Sequence, residues 1–298
     1  MAHTKRALPP GAREVFVPVA GGQMRVLRGE HEGPGLPILL IHGGGSDNAG
    51  ISWFRLIGPL SKHRPVLAPD LAGFGGTEGL PVTGTAAGMA DQLQQLLDVL
   101  GIHRVLVCGV SMGGEVGIQL ALRHPQTCVA LVAVAPGGFV ERFRSPAMHR
   151  LVWLSTLIPD PLLRPLAALA NRFTRSLVGR MVRNPETLPS QVVEEIVREA
   201  ARSGSGMAYA TYNKRAIGPK GMRNYLIPAV ASLRIPALFF HGADDPLVPP
   251  GGSQLAVEQM PNAQLILVPE CGHWAQLEAH DRFLTALCDF IAGATEQS

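Results

Sequence analysis

The stretch VLVCGVSMGGEVGIQLALRHP, residues 105–125, changes character at Ser111. The six residues before this serine form a continuous apolar run, which is typical of a strand covered on both faces in a parallel sheet. From Met112 onward, small and apolar residues recur with helical spacing. Ser111 is therefore predicted to lie on a tight strand-to-helix turn, where glycines on both sides let the backbones approach each other.

The same pattern of an apolar run ending in small or polar residues recurs along the chain. The other runs are PILLIHGGG, RPVLAPDL, CVALVAVAP, IPALFFHGADD and AQLILVPE, and two shorter strands are predicted near Glu14–Val19 and Met24–Arg28. Helical patterns lie between the runs, at Ala86–Leu100, Met112–Arg123, Ser253–Met260 and Asp281–Ala292. This alternation predicts an α/β fold with a doubly wound, mostly parallel sheet.

The alternation stops between about Gly138 and Ser232, where helical patterns follow one another without strands. Charge changes over the same region: residues 141–228 hold 14 Lys and Arg against six Asp and Glu, a net charge of +8, while the rest of the chain has −5. An insert that follows the CVALVAVAP strand emerges at the carboxyl ends of the strands, where ligands bind in such sheets. We therefore predict a core of residues 1–137 and 233–298 and a helical lid, or cap, of residues 138–232.

Composition bears on the partners, the cofactors and the cellular location to be expected of the protein. The net charge of +3 indicates no nucleic-acid partner, and four cysteines without paired spacing are typical of a reducing compartment. The longest apolar stretch, Leu151–Ala170, contains Asp160, Arg164 and three prolines, which argues against stable membrane insertion. Neither a C-x-x-C nor an H-E-x-x-H pattern is present, so no metal or cofactor is expected. We expect a cytoplasmic protein, since the N-terminus has no apolar signal segment; the oligomeric state, a homo-oligomer included, stays open.

A serine hydroxyl becomes a nucleophile when a base accepts its proton and an acid orients the base. On a strand-to-helix turn of this kind the known order along the chain is Ser, then Asp or Glu, then His. Asp244 and Asp245 follow the IPALFFHG strand, and His273 follows the next strand. Because these strand ends meet at one edge of the sheet, Ser111 and His273 are predicted as nucleophile and base, with either aspartate as the acid and Glu141 as a third candidate.

Five segments follow one another in the order found in one large family. They are HGGG at His42–Gly45, DLAGFGGT at Asp70–Thr77, GVSMGG at Gly109–Gly114, HGADDPLVP at His241–Pro249 and GHW at Gly272–Trp274. With them the chain resembles the serine hydrolases of the α/β-hydrolase superfamily over nearly its full length. The resemblance implies the α/β-hydrolase fold with a Ser-His-Asp triad. It favours Asp245 over Asp244, because family members place the acid three residues after a glycine, here Gly242, and four before a proline.

The glycine loop at His42–Gly45 could supply a backbone hydrogen-bond donor next to the predicted nucleophile. The tetrahedral intermediate of acyl transfer needs two converging backbone N–H donors, which side chains would obstruct. Met112, directly after the nucleophile, is expected to supply one donor, and the resemblance implies Gly44 for the second. These two residues are the predicted oxyanion hole.

A serine at this position favours hydrolysis of a carboxylic ester or lactone through an acyl-serine intermediate, the chemistry of a serine carboxylesterase acting on a small molecule. The HGGG and GHWAQ segments also resemble hydrolases that cleave carbon–carbon bonds in ring-fission (meta-cleavage) products of aromatic compounds. That subgroup has Pro-Gly after HGGG and an Asn soon afterwards, where this chain has Ser46-Asp47-Asn48 and Trp53. A carbon–carbon hydrolase acting on a dienoate is therefore the alternative, beside a perhydrolase and a non-catalytic ligand-binding protein of the same fold.

Three residues are candidates for the substrate pocket. Trp274 stands beside the predicted base, while Trp153 and Arg198 belong to the predicted lid. Arg198 lies about one residue from the place of the lid arginine in the carbon–carbon hydrolases. The basic charge of the lid suits an anionic substrate, and a solvated lid surface is the simpler account of that charge.

Overall fold

The computed structural model describes residues 6, 8–19, 21–29, 31, 35–143 and 145–296, and an eight-stranded sheet runs through its centre. The strands are β1 (Ala12–Val19), β2 (Gly22–Gly29), β3 (Ile38–Ile41), β4 (Val66–Pro69), β5 (Val105–Val110), β6 (Cys128–Val134), β7 (Ala237–Gly242) and β8 (Ala263–Val268). Their order in the sheet is β1-β2-β4-β3-β5-β6-β7-β8. Strand β2 runs antiparallel to both neighbours, and the remaining adjacent pairs are parallel. The predicted mostly parallel sheet is confirmed.

Helices cover both faces of this sheet. They are α1 (Ala49–Ser52), α2 (Ile57–Ser61), α3 (Ala86–Val99), α4 (Met112–Arg123), α5 (Pro146–Thr156), α6 (Asp160–Asn171), α7 (Thr174–Val178), α8 (Ser190–Ala200), α9 (Met207–Ala216), α10 (Ile227–Val230), α11 (Gly251–Gln259), α12 (Ala275–Glu278) and α13 (His280–Glu296), with a 3₁₀ helix at Pro185–Thr187. Alternate residues of β3 show the two faces. Leu39 and Ile41 pack in the core cluster with α3 and α4, while Ile38 and Leu40 pack in the cluster with α1, α2 and α13. The predicted doubly wound arrangement is confirmed.

The central strands are buried along their whole length. Every residue of β3 to β7 is buried, which explains why these segments are continuous apolar runs and not alternating ones. Strand β8 lies at the edge of the sheet and is partly exposed. The parallel order places the ends of β3, β5, β7 and β8 at one edge, where the candidate site residues follow.

The chain between β6 and β7 is helical in its described part. Helices α5 to α10 follow one another there, and the backbone pairs in strand fashion at a single bridge, between Ile217 and Met222. Helix α8 packs against α1 of the core. None of the described helices is both long and apolar enough to cross a membrane.

Candidate active site

Ser111 lies on the turn between β5 and α4, and its backbone is strained. Its φ of 54° is one that residues other than glycine rarely adopt. Close packing explains the glycines beside it: a Cβ on Gly109 would lie 2.2 Å from the Gly113 carbonyl oxygen, and one on Gly113 would lie 2.2 Å from that of Ile41. The surrounding structure therefore holds Ser111 in this conformation, at the end of β5 and beside a cavity.

His273 follows β8, and Asp245 follows β7. The Nδ1 atom of His273 lies 2.7 Å from Oδ2 of Asp245, and both side chains are buried. The ring nitrogen donates this hydrogen bond, so Nδ1 carries the proton and Nε2 is the nitrogen that can accept another. The backbone N–H of His273 donates to the Met181 carbonyl oxygen at 2.8 Å, which fixes the loop.

Asp245 accepts several hydrogen bonds. Its Oδ1 accepts from the backbone N–H groups of Leu247 at 2.8 Å and Val248 at 2.9 Å, and its Oδ2 lies 3.3 Å from Nε2 of His241. Burial alone would raise the pKa of Asp245, but hydrogen bonds from His241 and His273 outweigh burial and hold this pKa well below its ordinary value. Asp245 is therefore an anion at neutral pH.

The other two candidate acids lie elsewhere. Asp244 is half exposed, and its Oδ2 lies 3.9 Å from Nε of Arg183 at the surface. Glu141 is exposed on the segment after β6. Of the three, Asp245 is the one that lies against His273.

Two buried side chains hold the glycine loop after β3. Nε2 of His42 accepts from the Leu71 N–H at 3.0 Å, and Nδ1 lies 2.7 Å from the Gly43 carbonyl oxygen. Oδ2 of Asp47 accepts from the Gly43 N–H at 2.8 Å and from the Ser52 hydroxyl at 2.6 Å. Hydrogen bonds therefore connect the loop to Leu71 after β4 and to Ser52 on α1.

The backbone N–H groups of Gly44 and Met112 make no hydrogen bond to another protein group within the described part of the chain. Gly44 lines the cavity, and Met112 begins α4 directly after Ser111. A Cβ on Gly44 would lie 2.3 Å from Cε2 of Tyr209, so a side chain has no room there. Two such donors beside a serine can receive developing negative charge.

A cavity of about 240 Å³ joins these groups. Ser111, His273 and the glycine loop lie on its wall, and much of the remaining lining is aliphatic or aromatic: Leu177, Val178, Met181, Ile196, Tyr209, Leu247 and Trp274. No lysine or arginine is among the described residues that line it. In the described structure no hydrogen bond joins the side chains of Ser111 and His273; such bonds are often long before a substrate binds.

Two of the three candidate pocket residues lie outside this lining. Trp274 lines the cavity beside His273, whereas Trp153 on α5 and Arg198 on α8 are not among the described lining residues. Nε of Arg198 donates to Glu195 at 2.7 Å, and NH2 lies 3.7 Å from Glu199. Both carboxylates are buried, so the charge of this arginine is already compensated.

Glu278 on α12 is a positioning group that no sequence signal singles out. One of its oxygens accepts from the Gly272 N–H at 2.8 Å. The other accepts from the N–H groups of Arg183 at 2.9 Å and Asn184 at 2.8 Å. Glu278 thus connects the loop of His273 to the helical segment between β6 and β7.

A larger open groove, of about 1070 Å³, lies between β8 and α13. Its described lining includes Asp281, Arg282 and Asp289 but no serine, histidine or cysteine. No group of three or more His, Cys, Asp or Glu is placed to hold a metal ion in the parts of the chain that the structure covers. The smaller cavity at Ser111 is therefore the candidate active site.

Comparison with known proteins identifies the family. Residues 37–280 match the family model described as the α/β hydrolase fold, so the chain belongs to this family and its hydrolase activity is supported. It is 30% identical over 277 residues to a 2-hydroxy-6-oxononadienedioate/2-hydroxy-6-oxononatrienedioate hydrolase of Comamonas testosteroni, covering 87% of this chain and 89% of the relative.

Two further relatives have related names. A 2-hydroxy-6-oxo-6-phenylhexa-2,4-dienoate hydrolase of Burkholderia cepacia is 29% identical over 276 residues, which is 87% of this chain and 89% of the relative. The solved structure of the enzyme of that name from Rhodococcus sp. strain RHA1 has a TM-score of 0.72 at 27% identity, over 94% of this chain and 99% of that chain. The resemblance to hydrolases of meta-cleavage products is confirmed.

Proposed function

We propose that this chain is a serine hydrolase that cleaves a carboxylic ester or lactone with an apolar acyl part, using Ser111, His273 and Asp245. The observation that carries the proposal is a single cavity lined by a serine on a strained turn and by a buried histidine whose Nδ1 is bound to Asp245. The backbone donors of Gly44 and Met112 supply the remaining element that acyl transfer needs.

The reaction begins when Ser111 Oγ attacks the carbonyl carbon of the substrate. Nε2 of His273 takes the hydroxyl proton as this bond forms, and the carbonyl oxygen becomes an oxyanion. The bond to the leaving alcohol oxygen then breaks, and His273 gives its proton to that oxygen. Water attacks the resulting acyl-serine by the same route, which releases the carboxylic acid and restores the serine hydroxyl.

Asp245 acts through His273. Its carboxylate keeps the proton on Nδ1, so that Nε2 is the basic nitrogen, and it stabilises the imidazolium that forms during the reaction. The bonds from Leu247 and Val248 keep the carboxylate in place while the charge on the ring changes.

Residues 138–232 act in this proposal as a lid over the site. Leu177, Met181 and Tyr209 belong to this segment and line the cavity. Ser205 Oγ, also from this segment, lies 3.3 Å from Ser46 Oγ of the glycine loop. A cover of this kind excludes water and so strengthens the electrostatic interactions at the reacting atoms.

The charges around the cavity favour a neutral substrate. The ionisable side chains in its described lining are Asp47, Tyr209 and His273, and none of them is a permanent cation. Burial raises the pKa of Asp47, against the opposite effect of His42. Arg198 is compensated by two buried glutamates. A substrate carboxylate would thus lose its hydration without gaining a cationic partner, which is costly.

A carbon–carbon hydrolase is the second candidate, and the named relatives favour it. Their names describe dienoate and dienedioate substrates, which carry carboxylate groups. Ser111 and His273 would serve that reaction as well. We rank it second because the described lining of the cavity offers such a carboxylate no lysine or arginine.

The test is kcat/KM on a substrate panel of short and long p-nitrophenyl esters, lactones and 2-hydroxy-6-oxo-6-phenylhexa-2,4-dienoate. Esters or lactones should be cleaved faster than the dienoate. Ser111→Ala should reduce the rate by several orders of magnitude in a protein that stays folded. The matched control is Ser232→Ala, at an exposed serine outside the cavity lining, which should keep the wild-type rate.

Each adverse result has its own meaning. Dienoate cleavage faster than that of every ester would replace this proposal by the second candidate. An undiminished rate in Ser111→Ala would rule out the mechanism. Inactivity on the whole panel, with no reaction with a fluorophosphonate, would favour a ligand-binding protein.

A further inference from the structure

Helices α5 and α6 expose an apolar face that no described part of the chain covers. On α5, Leu151 is 64% exposed and Leu154, one turn later, is 53% exposed. On α6, Leu162 is 61% exposed, and Leu166 and Leu169 are each 52% exposed. No side chain of α6 is buried. Exposed apolar side chains are ordinarily scattered singly, whereas rows with helical spacing mark an interaction site.

The surroundings of this face are cationic. Residues 145–180 contain five arginines and one acid, Asp160, which is paired with Lys214. All five arginines are exposed: Arg150, Arg164, Arg172, Arg175 and Arg180. Rows of leucine bordered by arginine are typical of helices that lie in the interface of a membrane containing anionic lipid.

The charge distribution of the chain favours a lipid surface over a second copy of the chain as the partner of this apolar face. A second copy would bring the same arginines to the interface, where like charges repel. An anionic surface attracts residues 141–228, with net charge +8, and repels the rest, with net charge −5, so approach occurs with this segment foremost. We propose that α5 and α6 dock this protein on an anionic membrane surface, with the leucines in the interface and the arginines at the headgroups.

Helix α6, which carries the leucine row, reaches the cavity at its C-terminal end, on the side opposite the leucines. Asn171 ends α6, Thr174 and Leu177 lie on α7, and all three line the cavity. Docking therefore places this end of the cavity about one helix diameter, or roughly 10 Å, from the lipid. In this respect the inference rests on the proposed function: an acyl ester dissolved in the membrane would enter the site without crossing water.

The test is flotation of the full chain with vesicles. Wild-type protein should float with vesicles of equal parts phosphatidylcholine and phosphatidylglycerol, and much less with phosphatidylcholine alone. Replacing Leu162, Leu166 and Leu169 together by serine should weaken binding to the anionic vesicles by at least about tenfold. The matched control carries serine at three exposed apolar positions outside residues 138–232, namely Val82, Val99 and Leu255, and should bind like the wild type.

Three results would overturn the proposal. One is equal flotation of the α6 leucine variant and the wild type, and another is equal flotation of the wild type with both kinds of vesicle. The third is a wild-type dimer in light scattering that dissociates in the leucine variant, which would assign the face to a second copy.

Two measurements separate docking from catalysis. Ser111→Ala should float like the wild type, because the docking face does not include the serine. The α6 leucine variant should keep its circular dichroism spectrum and its rate on a short, water-soluble ester, because the replaced side chains are exposed. An inactive wild type that still floats would therefore remove the proposed function and leave the docking surface.

Discussion

Replacing Glu115 by glutamine is expected to stabilise the protein in a pH-dependent way. Glu115 lies on α4, four residues after Ser111, and is 1% exposed. The Tyr212 hydroxyl donates to its Oε2, and Nδ2 of Asn224 donates to the same oxygen at 2.7 Å. Burial raises the pKa of Glu115 from 4.5 to about 7, although these two hydrogen bonds act in the opposite direction.

The pKa of Glu115 in the unfolded chain and its pKa in the folded protein together set the sign and the size of the change in stability. The unfolded chain loses this proton near pH 4.5, whereas the folded protein keeps it up to about pH 7. Between these values unfolding releases a proton, so the free energy of unfolding falls as the pH rises, and above both values the loss is constant. One pKa unit corresponds to about 1.4 kcal/mol, so the full loss for a shift from 4.5 to about 7 is about 3.5 kcal/mol. Glutamine cannot ionise and avoids this loss.

The assay is urea unfolding followed by tryptophan fluorescence, for wild type and Glu115→Gln, near pH 5 and near pH 8. Some of the loss is already present at the lower pH, so the stability advantage of the variant should grow by about 2.5 kcal/mol between the two. Contributions common to both proteins cancel in this comparison. Glu258→Gln, at an exposed carboxyl on α11, is the matched control, because no buried charge is removed there.

A stability difference that stays the same from pH 5 to pH 8 would refute the reasoning. It would mean that the Glu115 carboxyl binds its proton equally well in the folded and the unfolded chain. A difference that shrinks as the pH rises would reverse the predicted sign and assign a stabilising role to the buried carboxylate.

Two further substitutions test the geometry of the site. Asp245→Asn should lower kcat/KM for an ester by about 10³- to 10⁴-fold, because the amide no longer holds the proton on Nδ1 of His273, the proposed base; Asp244→Asn is the control, and a larger loss there would overturn the proposed assignment of the acid. Gly44→Ala should lower kcat by about 10²-fold, since its Cβ would meet the Tyr209 ring at 2.3 Å and displace the backbone N–H that we propose as an oxyanion donor. Gly293→Ala, where a Cβ meets nothing within 4 Å, is the matched control, and equal rates in the two glycine variants would contradict the role of the loop.

The strands and the turn at Ser111 could be predicted from the sequence because their signals are local. Burial on both faces demands continuous apolar runs, and close backbone contacts demand the glycines. The helix predicted at Met112–Arg123 has these bounds. The helix predicted at Asp281–Ala292 is part of a longer one that reaches Glu296, because Gly293 interrupts the apolar pattern before the helix ends.

Contacts between distant segments could not be predicted in this way. Glu278 binds backbone groups of the segment between β6 and β7, and Tyr209 covers Gly44. Both contacts arise from the tertiary fold, and no motif or residue spacing in the sequence indicates them. The ion pair of Arg198 is a contact that the sequence could have predicted in part. Glu195 lies three residues before it on α8, the spacing of a helical ion pair, so the compensation of its charge has a local signal.

The central claim, that Ser111 is the nucleophile, is tested most directly by fluorophosphonate labelling followed by mass spectrometry. Trypsin releases residues 105–123 as one peptide, in which Ser111 is the only hydroxyl-bearing residue. We expect one adduct per chain, located on this peptide, and no adduct on it in Ser111→Ala. An unlabelled peptide from folded wild-type protein, or an adduct located at another residue, would contradict the account.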